Sequence, residues 1–264
     1  EEISPYFNAN PKKYISALVS EDCWQATPGK VVDLVRNLGI AAGGTVMEDC
    51  RVLEACREGK YTSVLVQTHD KKYVEYRTEH FVNALGSGAG KLCDSMGIDA
   101  GLYPVRHQAF ITRRLPMLGK HGTNLDMLID RQDYKGFSAV YGQQIAYTGQ
   151  IIGCASPKLD AMRIDKNLKV NTKAFLEIVS EMFSEWIPDL AGVGIQAVWA
   201  GYYTEPRYIV DPELGLFVGM RGHGFMLSQY IARMYVDKLL GRPVPEYFEK
   251  LKLNGPGLSE KAFK

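Results

Sequence analysis

Phe81-Val82-Asn83-Ala84-Leu85-Gly86-Ser87-Gly88-Ala89-Gly90 is the stretch on which the fold turns. A β-type run from Glu79 to Ala84 leads into three glycines within five positions, and a helix is predicted from Lys91 to Met96. A buried strand that passes through a glycine loop into a helix sets backbone N–H groups at the helix start, where they favour an anion. The loop matches neither common nucleotide fingerprint. GxxxxGK[ST] would need glycine at Leu85 and Ser or Thr at Leu92, and GxGxxG would need glycine at Lys91. On its own the motif reads equally well as turn geometry.

Toward the N-terminus, Thr27-Pro28-Gly29 precedes Val31, Val32, Leu34, Val35 and Leu38 at helical spacing, with Gly39 as the expected stop. Val46 to Cys56, Tyr61 to Thr68 and Lys72 to Tyr76 then read as a small antiparallel ribbon, broken at Glu58-Gly59 and His69-Asp70-Lys71. Toward the C-terminus, residues 101 to 153 alternate β-runs with turns: Gln108 to Thr112, Met127 to Asp130, Gly136 to Tyr141 and Ile145 to Gly153. Asn171-Thr172 can cap a helix with Phe175, Ile178, Val179, Met182 and Trp186 on one face, ended by Pro188. Strands are predicted at Val193 to Ala200, Tyr208 to Val210 and Leu216 to Gly219. A last helix after Arg221-Gly222-His223-Gly224 carries Phe225, Met226, Tyr230, Ile231, Met234 and Leu239.

Composition narrows the function classes. Lys plus Arg number 31 against 30 Asp plus Glu, a net charge of +1, so no global field selects nucleic acid or an anionic membrane. The basic pairs Lys71-Lys72 and Arg113-Arg114 read as solvated faces. Five scattered cysteines without a CxxC suit a reducing, cytoplasmic setting, and no apolar run reaches the length of about 20 residues that a bilayer needs. His69, His80, His107, His121 and His223 show no metal-ligand spacing, and there is no GxSxG elbow. Gly222-His223-Gly224-Phe225-Met226 is the second constellation: a β-run ends, two glycines open the backbone, and a helix begins with N–H groups facing outward. Taken alone, His223 reads more readily as a turn histidine than as a catalytic group.

In order along the chain, these segments resemble the FAD-dependent D-amino-acid oxidase superfamily, the group of glycine oxidase, sarcosine oxidase and dye-linked proline dehydrogenases. Gly43-Gly44-Thr45-Val46 through Leu53 is similar to the family's strand pair that meets the adenine, with Val52 at the matching position. Phe81 to Gly90 is similar to VNAAGAWAG, which implies that Asn83, Ala84, Gly86 and Ser87 run beside the FAD diphosphate and ribityl chain. Pro104-Val105-Arg106-His107-Gln108 is similar to PVRGQ, and Trp199-Ala200-Gly201-Tyr202-Tyr203 to WAGLRP, with Gly201 counted among the cofactor residues. Arg221 to Leu227 is close to SGHGFMLAP. The resemblance there implies that Gly222, His223, Gly224, Phe225 and Met226 lie at the flavin pyrimidine edge.

The resemblance implies an α/β (α+β) fold: residues 1–98 and 206–264 as part of an FAD-binding domain, and residues 99–205 as an antiparallel substrate domain. It implies hydride transfer to flavin from the carbon beside the nitrogen of a small amino acid or secondary amine. The arginine of WAGLRP is replaced by Tyr202 or Tyr203, so the substrate carboxylate is expected at Arg221 or Arg207, with Tyr203 as a second donor. Family members open with a strand, GxGxxG and a helix that hold the diphosphate, and this sequence starts beyond that unit. It is therefore expected to act with an N-terminal fragment or partner subunit, and to bind FAD poorly and be inactive alone. A non-catalytic module supporting a partner flavoprotein is the alternative.

Overall fold

Strands form where apolar residues alternate and helices where they recur every three to four positions, and the two patterns alternate along this chain. The computed structural model describes residue 7 and residues 12–14, 16–20, 22–118, 125–134, 136–145, 148–157 and 172–256. It divides into two units, Glu1–Gln25 with Val105–Tyr202, and Ala26–Pro104 with Tyr203–Lys264. Helices and antiparallel sheets together give the α/β (α+β) class that the sequence indicates.

The second unit starts with α1 (Pro28–Ala41), whose proline stands in the first turn, where its missing N–H costs no bond. The helix runs two residues past Gly39. Its left-handed glycine is Gly43, at φ +92°. Strands β1 (Arg51–Glu58), β2 (Tyr61–Gln67) and β3 (Tyr73–Thr78) form an antiparallel sheet in that order. The expected strand at residues 79–84 is reduced to a single parallel bridge between Asn83 and Leu216. A 3-10 turn (Gly86–Gly88) leads into α2 (Ala89–Ser95).

The first unit is built on a five-stranded sheet of β4 (Tyr103–Thr112), β5 (Leu128–Tyr134), β6 (Phe137–Ile145), β7 (Gln150–Pro157) and β8 (Ile195–Glu205), ordered β5-β6-β7-β4-β8. The predicted run from Ile145 to Gly153 is split by a turn at Thr148-Gly149, where Gly149 takes φ +69°. On this sheet packs α3 (Thr172–Trp186), which buries Phe175, Ile178, Val179, Met182, Phe183 and Trp186. Asn171, the other half of its expected cap, lies outside the described residues. Gly142 and Gly153 leave the room that the Phe183 and Phe110 rings occupy, and those rings meet edge to face at 5.2 Å. Of the described opening residues, Tyr14 packs with this unit. The Tyr14 hydroxyl donates to Asp130 Oδ2 at 2.7 Å and accepts from Trp186 Nε1 at 3.1 Å.

The second unit closes with β9 (Ile209–Asp211) and β10 (Leu216–Val218), an antiparallel hairpin, and α4 (Gly224–Leu239). The period of two places successive residues on opposite faces. Ile209 joins Leu216 and Val218 against Ala89 and Cys93 of α2, whereas Tyr208 and Val210 meet Ile231, Met234 and Tyr235 of α4. Gly241, at φ +69°, ends α4: Gly241 N–H donates to Lys238 O and Arg242 N–H to Asp237 O, which satisfies the last carbonyls.

Candidate functional site

Asn83 ties the glycine loop to the terminal hairpin. Its backbone N–H donates to Gly215 O at 2.8 Å, and its carbonyl accepts from Phe217 N at 3.0 Å. The side chain is 1% exposed; Nδ2 donates to Ala89 O at 3.0 Å and Oδ1 accepts from Leu85 N at 3.3 Å. One carboxamide thus shapes the whole turn from residue 83 to the start of α2. Gly86, at φ +55°, takes a conformation that other residues resist, and nothing stands within 4 Å of where its Cβ would be. Gly90 is required differently: a Cβ there would stand 3.1 Å from Leu102 O.

Beyond the hairpin, the chain makes a tight turn at residues 219–224. Gly219, at φ +72°, passes so close to Arg207 O that a Cβ would overlap it. Arg221 is left-handed at φ +49°, and its Nε lies 2.5 Å from Glu205 Oε2, an ion pair rather than a linear hydrogen bond. A Cβ on Gly222 would meet the Tyr203 ring at 3.1 Å, and one on Gly224 the Met220 Cβ at 2.8 Å. His223 precedes the first turn of α4 and shares a 2.6 Å hydrogen bond between Nδ1 and the buried Tyr208 hydroxyl. The first turn of α4 holds no acidic residue, and Arg221 and His223 adjoin it, so this end of a 16-residue helix favours negative charge.

The sequence-derived residues fall as follows. Asn83, Ala84, Gly86 and Ser87 lie on the loop that the Asn83–Leu216 bridge joins to the hairpin leading to Gly222, His223, Gly224, Phe225 and Met226. Val52 stands beside a bulge in the edge strand β1 and packs on the cluster containing Leu92 of α2. Tyr203 lies against Gly222. Arg207 turns instead to the C-terminal segment, donating to Gly255 O at 3.1 Å and to Leu253 O. Gly201, on β8, belongs to the other unit. Glu205, Tyr208 and Met220 were not singled out. The available signal was weak: a half-buried arginine needs an anion, but Glu213 and Asp211 both stand nearer to Arg221 in sequence than Glu205 does.

Open space at Gly86 and the exposed Gly222, Phe225 and Met226 leave these backbone edges approachable by a flat, anionic cofactor such as FAD. Among the described residues, no three His, Cys, Asp or Glu side chains are grouped to hold a metal ion. No helix among them is long and apolar enough to cross a membrane.

Residues 1–238 match the family model DAO, described as FAD dependent oxidoreductase. No curated protein matches the sequence. Solved structures with the same fold include L-proline dehydrogenase from P. horikoshii, 24% identical with a TM-score of 0.67, covering 86% of this chain and 59% of that one. Glycine oxidase from Bacillus cereus is 18% identical with a TM-score of 0.65, covering 84% and 57%. Iminodiacetate oxidase from Chelativorans is 15% identical with a TM-score of 0.62, covering 86% and 58%. The chain thus spans somewhat under 60% of the length of each of these three.

Proposed function

Because this chain belongs to the DAO family of FAD-dependent oxidoreductases, we propose that it forms part of an enzyme oxidising the carbon–nitrogen bond of a small amino acid or secondary amine. The observation that carries the reading is the Asn83–Leu216 bridge, which joins the glycine loop to the hairpin leading into α4. FAD, when bound, supplies the hydride acceptor, and the imine product hydrolyses in water. The chain's own residues orient and stabilise. Ala84, Gly86 and Ser87 would hold the diphosphate and ribityl side of FAD, and Val52 would meet the adenine. The N–H groups of Gly222, Gly224 and Phe225, at the positive end of α4, would stabilise negative charge on a bound flavin.

Arg221, with Tyr203 as second donor, is the candidate for the substrate carboxylate because Tyr203 lies against the neighbouring Gly222, whereas Arg207 turns to Leu253 and Gly255; Arg221 would meet the substrate while its Nε stays paired with Glu205. A second segment completes the site. Helix α1 buries no residue, and Val32, Leu34 and Leu38 are about 60% exposed, an apolar face that water penalises. The strand, GxGxxG loop and helix that open family members would cover this face. The five thiols, with no disulfide among them, accord with a cytoplasmic setting.

The test is to purify the chain with and without such an N-terminal segment and read flavin absorbance. Bound FAD is expected only with the segment, and anaerobic bleaching by a member of a panel of glycine, proline and N-methylglycine identifies the substrate class. FAD that binds yet is reduced by no amine would favour the non-catalytic module.

A further inference from the structure

Arg221 holds φ +49°, a left-handed backbone that glycine tolerates and a long side chain adopts at a cost. Such a conformation persists where its surroundings over-determine it. Here the surroundings come from one face of β8. Residues two apart on a strand point the same way, and Tyr203 and Glu205 both meet the turn, the first at Gly222 and the second at Arg221. The Glu205–Arg221 pair is 14% and 19% exposed, against 52% and 69% for the surface pair Glu79–Lys60, so solvent and salt screen it far less. A side chain at Gly222 would crowd the Tyr203 ring and one at Gly224 the Met220 side chain. Glu205 is thus an acidic anchor of the turn.

We propose that Glu205 is a positioning residue of the FAD site: it clamps Arg221 in the left-handed turn and thereby aims the N–H groups of Gly222 and Gly224. This rests on the reading that those groups face FAD. Glu205 itself touches neither cofactor nor substrate in this account.

Two measurements separate the clamp from the cofactor reading. The His223 N–H donates to Met220 O at 3.2 Å, so its hydrogen exchange in the chain alone reports opening of the turn. Glu205→Ala is expected to speed exchange at His223 about tenfold relative to Ile231 inside α4, and Glu205→Gln by less. Adding Arg221→Gly to Glu205→Ala should return exchange to within about threefold of the original, because glycine takes φ +49° unaided. If Glu205→Ala does not fold, the same comparison is made on Glu205→Gln, which keeps the shape without the charge. Unchanged exchange in both single variants, or no rescue by glycine, overturns the clamp. In the FAD-loaded complex, Glu205→Ala should shift the flavin midpoint potential and Arg221→Gly should restore it. A clamp seen by exchange with no change in potential would overturn the role at FAD and would count against the cofactor reading itself.

Discussion

At Asn83 the carboxamide is occupied on both sides, by Ala89 O and the Leu85 N–H, in a position 1% exposed. Asn83→Ala leaves those groups without their partner, at about 1–3 kcal/mol. A fall of that size in the unfolding free energy from denaturant titration is expected, together with weaker FAD binding in the complete enzyme. His223 and Gly224 should behave oppositely. His223→Ala should leave flavin reduction within about tenfold, roughly 1.4 kcal/mol of barrier, because backbone N–H groups meet the developing charge. Gly224→Val should cripple FAD binding and reduction, and the structure gives a reason internal to the chain: the added Cβ meets Met220 at 2.8 Å. Met220→Gly in the same variant, which removes that Cβ, should recover part of the loss. Stopped-flow reduction by one amino acid compares all three. Tyr14 gives a pH signature. Burial, then its hydrogen bond to Asp130, pushes its pKa from 10.0 up to about 12. Because the folded value is the higher, the stabilisation is complete below pH 10 and is lost as pH rises toward 12. Tyr14→Phe should flatten the fall in melting temperature over that window, although Tyr235, also raised to about 12, will keep part of it.

Elements differ in how openly the sequence declares them. The face of α3 was legible because its stripe repeats at 3.6 residues and its partner sheet lies in the same unit. The stripe on α1 is as regular, yet it buries nothing here. Charged substitutions therefore discriminate. Leu34→Glu with Leu38→Glu should leave the melting temperature of the chain alone nearly unchanged, since both side chains are about 60% exposed. The same pair should abolish co-purification with the N-terminal FAD segment. The predicted strand at residues 79–84 failed because composition reports β-tendency and not the number of partners; its bond to a neighbour is confined to one bridge. The end of α1 was misplaced for a related reason, since a glycine stops a helix only where the chain needs a positive φ, and that position is Gly43.

For the whole molecule, the pairing that matters joins residues more than 130 positions apart, Asn83 with Leu216. Spacing within either motif did not reveal it. The ordered resemblance did, by naming two segments that one cofactor requires. The packing of Tyr14 against Asp130 and Trp186 was illegible, because a tyrosine in a loose, proline-containing opening carries no sign of its distant acceptor. Glu205 and Tyr208 were missed likewise: their partners Arg221 and His223 were read for ligands and not for what holds them. The most direct test of the central claim is peptide-resolved hydrogen exchange of the chain combined with a strand–GxGxxG–helix segment of the family, with and without FAD. The account predicts that FAD slows exchange at residues 83–90 and 219–226 together, leaving α3 unchanged. Protection of one segment without the other, or of neither, would contradict it.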